Sequence, residues 1–171
     1  YDSLGEGTHA EVIDGVLYVD PAPAYRHRNV QSALADILRS PFQRGRGGPG
    51  GWVILVEPAI GLGDDVFEPD VAGWRRERLP SIDVVRSDVP PDWICEVISP
   101  SSKERDGITK RGAYARARVP WYWLVDPAAR SLVVLELTGD VYAERLMARA
   151  NDVVRAPPFD EIAISLGDLW E

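Results

Sequence analysis

The sequence is poor in the residues that build soft-metal sites and covalent frameworks. Cys95 is its only cysteine, and His9 and His27 are its only histidines. One thiol excludes an intrachain disulfide framework and a cysteine zinc cluster, and two imidazoles leave a histidine-rich metal site without ligands. Thiol usage of this kind fits a reducing cytoplasm. Long apolar runs are also lacking: no stretch approaches the roughly 20 residues that span a bilayer. No secretory signal is visible near the start. A phosphate loop is missing too. Gly45–Gly51 (GRGGPGG) has the glycines but not the Gly-Lys-Ser/Thr ending, and no strand leads into it, so it reads as a flexible connection. Basic residues are in deficit, 19 against 27 acidic, for a net charge of −8. That balance speaks against binding nucleic acid by bulk electrostatics.

What is present describes a globular protein. A length of 171 residues with 45% hydrophobic content is most simply one domain with a genuine core. Charge is unevenly spread. Arg26, Arg28, Arg39, Arg44 and Arg46 stand against Asp36 alone; Lys103, Arg105, Lys110, Arg111, Arg116 and Arg118 stand against Glu104 and Asp106. Either cluster is a local phosphate-facing surface or a solvated helix face.

Periodicity supplies the elements. Ala10–Asp20 reads as a hairpin turning at Asp14-Gly15. Val30, Ala33, Leu34, Ile37 and Leu38 recur at helical spacing and predict an amphipathic helix over Arg26–Phe42. Trp52–Val56 and the region Val66–Trp74 read as strands. Asp92–Ser99 (DWICEVIS) is nearly continuous in apolar residues, as a strand covered on both faces would be. Ser101 and Glu104 form a capping box for a second helix, which runs to about Arg118 and is stopped by Pro120. Pro120–Asp126 is another buried strand. Leu132–Leu137 and Val141–Ala148 make a second hairpin, and a short helix near Leu166–Trp170 closes the chain. The expected fold is α/β (α+β): a central mixed sheet flanked by helices, with hairpins toward both ends.

Glu96 is the most informative residue. On a strand, Ile94, Glu96 and Ile98 share one face and Trp93, Cys95 and Val97 the other. A carboxylate between isoleucines is costly to desolvate without a basic partner or a metal ion. Asp70 follows Pro69, which fixes the approach of the chain and withholds one backbone donor. Two carboxylates from adjacent strands form a hard-oxygen site suited to Mg²⁺. Lys110 shares a helix face with Asp106 and Tyr114; on spacing alone, Asp106 and Lys110 make a surface ion pair.

Taken together, these residues resemble the Uma-type group of restriction endonucleases within the PD-(D/E)XK nuclease superfamily. The resemblance rests on Glu11 with Gly15, His27, Pro69-Asp70, Glu96-Val97-Ile98-Ser99-Pro100, Asp106 with Lys110 and Tyr114, and Trp123-Leu124-Val125-Asp126-Pro127. It implies a restriction-endonuclease-like core and a Mg²⁺- or Mn²⁺-dependent endonuclease acting on DNA. Asp70 and Glu96 would hold the metal with the backbone carbonyl of Val97, and Lys110 would complete the catalytic set. Glu11 and His27 would support the site or contact phosphate. One departure stands out: Ile98 occupies the position of the lysine in the superfamily motif, and Lys110 on the following helix takes its place.

Trp121, Tyr122 and Trp123 read as core or a subunit interface rather than a base-stacking surface. Asp126 belongs to the turn at Pro127. The resemblance also implies a homodimer, since cutting both strands of a duplex calls for two sites. A catalytically inactive binding module on the same fold is the alternative, favoured by the acidic balance and Ile98.

Overall fold

The computed structural model describes residues 10–19, 21–79, 81–99 and 105–171. It opens with the expected hairpin, β1 (Ala10–Ile13) and β2 (Val16–Val19). Asp14 and Gly15 turn it with φ of 50° and 76°, the pair of left-handed conformations that a two-residue hairpin turn requires. Helix α1 (Tyr25–Leu38) buries Val30, Leu34 and Leu38 and is prolonged by a π-helical turn, Arg39–Gln43. Six strands follow: β3 (Trp52–Val56), β4 (Ala59–Leu62), β5 (Asp65–Phe67), β6 (Val71–Arg75), β7 (Arg86–Ser87) and β8 (Trp93–Val97). A π-helical turn, Arg105–Lys110, leads into α2 (Arg111–Arg116). Then come β9 (Trp121–Asp126), β10 (Ser131–Thr138), β11 (Val141–Arg149), β12 (Val153–Val154) and β13 (Ile164–Ser165), and a 3₁₀ turn over Leu166–Leu169.

The central sheet has the order β11-β10-β9-β8-β6-β3. It is mixed, because β8 and β9 run parallel and the other neighbours antiparallel. Parallel neighbours need a long crossover, and the π turn with α2 supplies it. Strand β8 is buried at every position. Trp93, Cys95 and Val97 pack with α1 residues Val30, Leu34 and Leu38 on one face, and Ile94 packs with Tyr114 and Tyr122 on the other. The alternation read from the sequence therefore holds, and α1 and α2 cover opposite faces. Trp123 and Tyr122 are core residues. A second sheet, β2-β1-β5-β4-β7, carries the first hairpin.

Several expectations need correction. The first helix does not stay α-helical to Phe42, since its last turn widens at Arg39. The second ends at Arg116: Arg118 takes φ of 62°, a left-handed conformation that breaks the spiral ahead of Pro120. Its predicted capping box, Ser101 with Glu104, lies outside the described residues. The glycine-rich segment is a folded loop. Arg46 and Gly50 donate their amides to Ser40 and Pro41 at 3.0 and 2.9 Å. Gly48 packs so closely that a Cβ there would lie 2.5 Å from Pro41 Cβ. Among the described residues no helix is long and apolar enough to cross a membrane.

Candidate active site

Strands β6 and β8 are neighbours, and this brings the two expected carboxylates together. Asp70 immediately precedes β6. Its Oδ2 accepts the Val97 amide at 2.6 Å, and its Oδ1 lies 2.6 Å from His27 Nε2 on α1. Its backbone amide faces Glu96 Oε2 at 3.4 Å. Its carbonyl accepts from Glu57 N and from Gln31 Nε2, both at 3.0 Å. Asp70 is thus fixed from three elements at once.

Glu96 is 2% exposed. Its Oε1 accepts from Lys110 Nζ at 3.0 Å and from the Tyr114 hydroxyl at 2.8 Å. The crossover after β8 returns over the sheet and delivers both partners. Lys110 Nζ also lies 2.9 Å from Glu11 Oε1 and 3.4 Å from Asp106 Oδ1. Glu11, on β1, accepts the Glu68 amide at 3.0 Å and approaches Arg105 Nε at 3.6 Å. Asp106 and Lys110 are 2% and 3% exposed, so they are no surface pair. The second sheet folds over the crossover and removes them from water.

Burial raises the Glu11 and Glu96 carboxyls above the ordinary carboxylate range, Glu96 strongly; Lys110 works against this in both. Burial also pulls Lys110 down, but Glu96, Glu11 and Asp106 outweigh it and hold the ammonium charged. For His27, burial lowers the pKa while the Asp70 hydrogen bond and charge raise it, and the net shift is upward. The Tyr114 hydroxyl is pushed far up, first by burial and then by Glu96, so it serves as a donor.

Glu11, His27, Asp70, Glu96, Val97 and Lys110 all line one cleft of about 460 Å³. Every site residue expected from the sequence is therefore brought to one place. Asp126 stays apart from this network, accepting the Ala128 and Ala129 amides at 2.9 Å in the turn after β9.

Sequence reasoning missed Gln31 and gave Tyr114 no role. Gln31 is 4% exposed and also donates to Glu57 Oε1 at 3.0 Å. It sits four residues after His27 on the same helix face, which was a readable signal. Glu57 holds φ of 50°, a left-handed conformation that non-glycine residues adopt at a cost and that no sequence pattern announced.

Among the described residues, no three His, Cys, Asp or Glu side chains converge as a ready metal cage. The donor set still fits a hard divalent cation. Mg²⁺ keeps several waters and needs only one or two carboxylates, and Asp70, just ahead of β6, and Glu96 on β8 offer hard oxygens. The cleft gathers Glu11, Glu57, Asp70, Glu96 and Asp106 around Arg105 and Lys110, and a divalent ion would offset the remaining negative charge.

Comparisons with known proteins place the family and the fold. A sequence model of the Uma2 family, described as "Putative restriction endonuclease", matches residues 1–167. The chain also superposes on the crystal structure of "a putative nuclease belonging to DUF820" from Anabaena variabilis with a TM-score of 0.79. Sequence identity there is 21%, over 94% of this chain and 89% of that one, so this likeness shows the fold. No curated protein matches the chain.

Proposed function

The chain belongs to the Uma2 family of putative restriction endonucleases, and from that membership and the cleft we propose that it is a metal-dependent endonuclease hydrolysing phosphodiester bonds of DNA. The observation that carries this reading is the juxtaposition of Asp70, just ahead of β6, with Glu96 on the neighbouring β8, and Lys110 3.0 Å from Glu96. Mg²⁺ or Mn²⁺ would be held by Asp70, Glu96 and the backbone carbonyl of Val97. When bound, the ion supplies Lewis-acid polarisation of the phosphate and a more acidic water.

The chain's own groups do the rest. Lys110 stays protonated and donates to phosphate oxygens as negative charge builds on them. To do so it exchanges one of its three carboxylate partners for the substrate. Glu11 and Asp106 keep its ammonium at the cleft floor during that exchange. Tyr114 orients Glu96, and His27 fixes which oxygen of Asp70 faces the cleft.

The test is cleavage of circular DNA, supplied both as supercoiled plasmid and as a single-stranded circle, with Mg²⁺ or with EDTA. Mg²⁺-dependent opening of either circle by wild type, absent from Glu96→Ala, supports the reading. One observation favours the alternative of a non-catalytic module: Lys110 is already engaged by three carboxylates. DNA binding without cleavage of either circle would establish that module instead.

A further inference from the structure

Two neighbouring side chains at the start of α1, of which the second lines the cleft, take no part in the carboxylate network. Tyr25, the first residue of α1, is 92% exposed. Arg26 follows it and lines the cleft. The other basic side chains there are committed: Lys110 to Glu11, Glu96 and Asp106, and Arg105 to Glu11. Among the described residues, Arg26 is the cleft cation without a carboxylate partner. A single exposed aromatic is unremarkable on its own. An aromatic ring with nothing packed over it, next to an uncommitted guanidinium at the edge of a candidate nuclease cleft, is the combination that holds an unpaired nucleotide.

Size and charge favour the same class of substrate. The cleft, about 460 Å³, falls in the roughly 300–1,000 Å³ range of pockets that enclose one small ligand. Pro21, Pro23, Pro127 and Ala128 line it together with the buried Glu11, Glu96, Asp106 and Lys110. A rigid duplex brings two backbones and about one negative charge per 1.7 Å of axis. An acidic chain of net charge −8, with one uncommitted cation among the described residues of this cleft, is poorly equipped to hold it. An unpaired strand presents a single backbone, bends into a narrow cleft, and offers a free base face.

We propose that the cleft takes single-stranded nucleic acid, the Tyr25 ring stacking on an unpaired base and the Arg26 guanidinium contacting the adjoining phosphate. This names the substrate class of the nuclease reading and rests on it for cleavage, but not for binding. One strand needs one cleft, so recognition of this kind does not call for a second copy of the chain.

The test measures binding and cleavage separately. Fluorescence anisotropy is read with a labelled single-stranded oligonucleotide and with the same sequence as a blunt duplex. Ca²⁺, which takes the same oxygen ligands, replaces Mg²⁺. The single strand is expected to bind at least tenfold more tightly. Tyr25→Ala should weaken it about tenfold, as loss of one base stack does, and Tyr25→Phe should restore it. Arg26→Gln should lower the slope of log affinity against log salt by about one. Equal or tighter duplex binding, or single-strand affinity unmoved in Tyr25→Ala, overturns the inference. So does a change in sedimentation of Tyr25→Ala with binding intact, which would make Tyr25 a contact between copies. In Mg²⁺, duplex cleavage as fast as single-strand cleavage overturns this inference and leaves the nuclease reading standing. Tyrosine-dependent single-strand binding without cleavage does the reverse.

Discussion

The Lys110 ammonium lies 3.0 Å from Glu96 Oε1 across 14 residues of sequence, with both side chains closed off from solvent. A buried ion pair of this kind owes its existence to what surrounds it. Glu11 and Asp106 also face the ammonium, and Tyr114 donates to the same oxygen of Glu96. One cation therefore stands between three carboxylates, and the cluster is stable only while that cation remains.

Replacing Lys110 with methionine removes the ammonium that Glu11, Glu96 and Asp106 share, with Arg105 still 3.6 Å from Glu11 Oε2. The cost should be about 3–5 kcal/mol, the usual penalty for removing one partner of a buried pair. For a chain of this size that corresponds to a fall in Tm of roughly 10 °C. Adding Glu11→Gln to the variant should recover part of the loss, because the two residues are in contact. Thermal unfolding of the single and double variants checks both statements, and additive losses would contradict the shared network.

Glu96→Ala should abolish metal-dependent cleavage and leave the chain folded. Lys110 keeps Glu11 and Asp106, so no unpaired cation is created. Urea unfolding beside the cleavage assay reads the two effects separately.

His27→Ala releases Asp70 Oδ1, and Gln31→Leu removes a donor shared by the Asp70 carbonyl and Glu57. Groups that orient metal ligands typically cost 10–100-fold in metal affinity or activity when lost. Each variant should show a drop of about that order in Mn²⁺ affinity by titration calorimetry, with its far-UV spectrum unchanged.

Much of this site was legible because its residues contradict their neighbours. Glu96 interrupts an apolar run whose burial requires a partner, and Pro69 marks the approach to Asp70. The place of Lys110 was legible only through its family resemblance. Its spacing from Asp106 reads equally well as a surface pair, and what buries it is a contact with β1, nearly a hundred positions earlier in the chain. The second sheet escaped notice because β4 and β7 are too short for periodicity to register: four residues and two. The π-helical turns escaped because composition does not distinguish them from α-helix.

Glu57 offers a test of strain stored beside the cleft. At φ of 50°, glycine is the better tolerated residue. Glu57→Gly should be more stable than Glu57→Ala by about 1 kcal/mol, the reverse of the usual order in regular structure. Both variants lose the carboxylate equally, so their difference in denaturation midpoint isolates the backbone.

The most direct test of the central claim is calorimetric titration of Mn²⁺ or Mg²⁺ into wild type and Asp70→Ala, run beside cleavage of the circular DNA substrates. Metal binding by wild type that is lost in Asp70→Ala, with cleavage by wild type alone, is the predicted result. Wild type that binds no metal, or Asp70→Ala that cleaves as well as wild type, would mean that Asp70 and Glu96 serve the fold and not the chemistry.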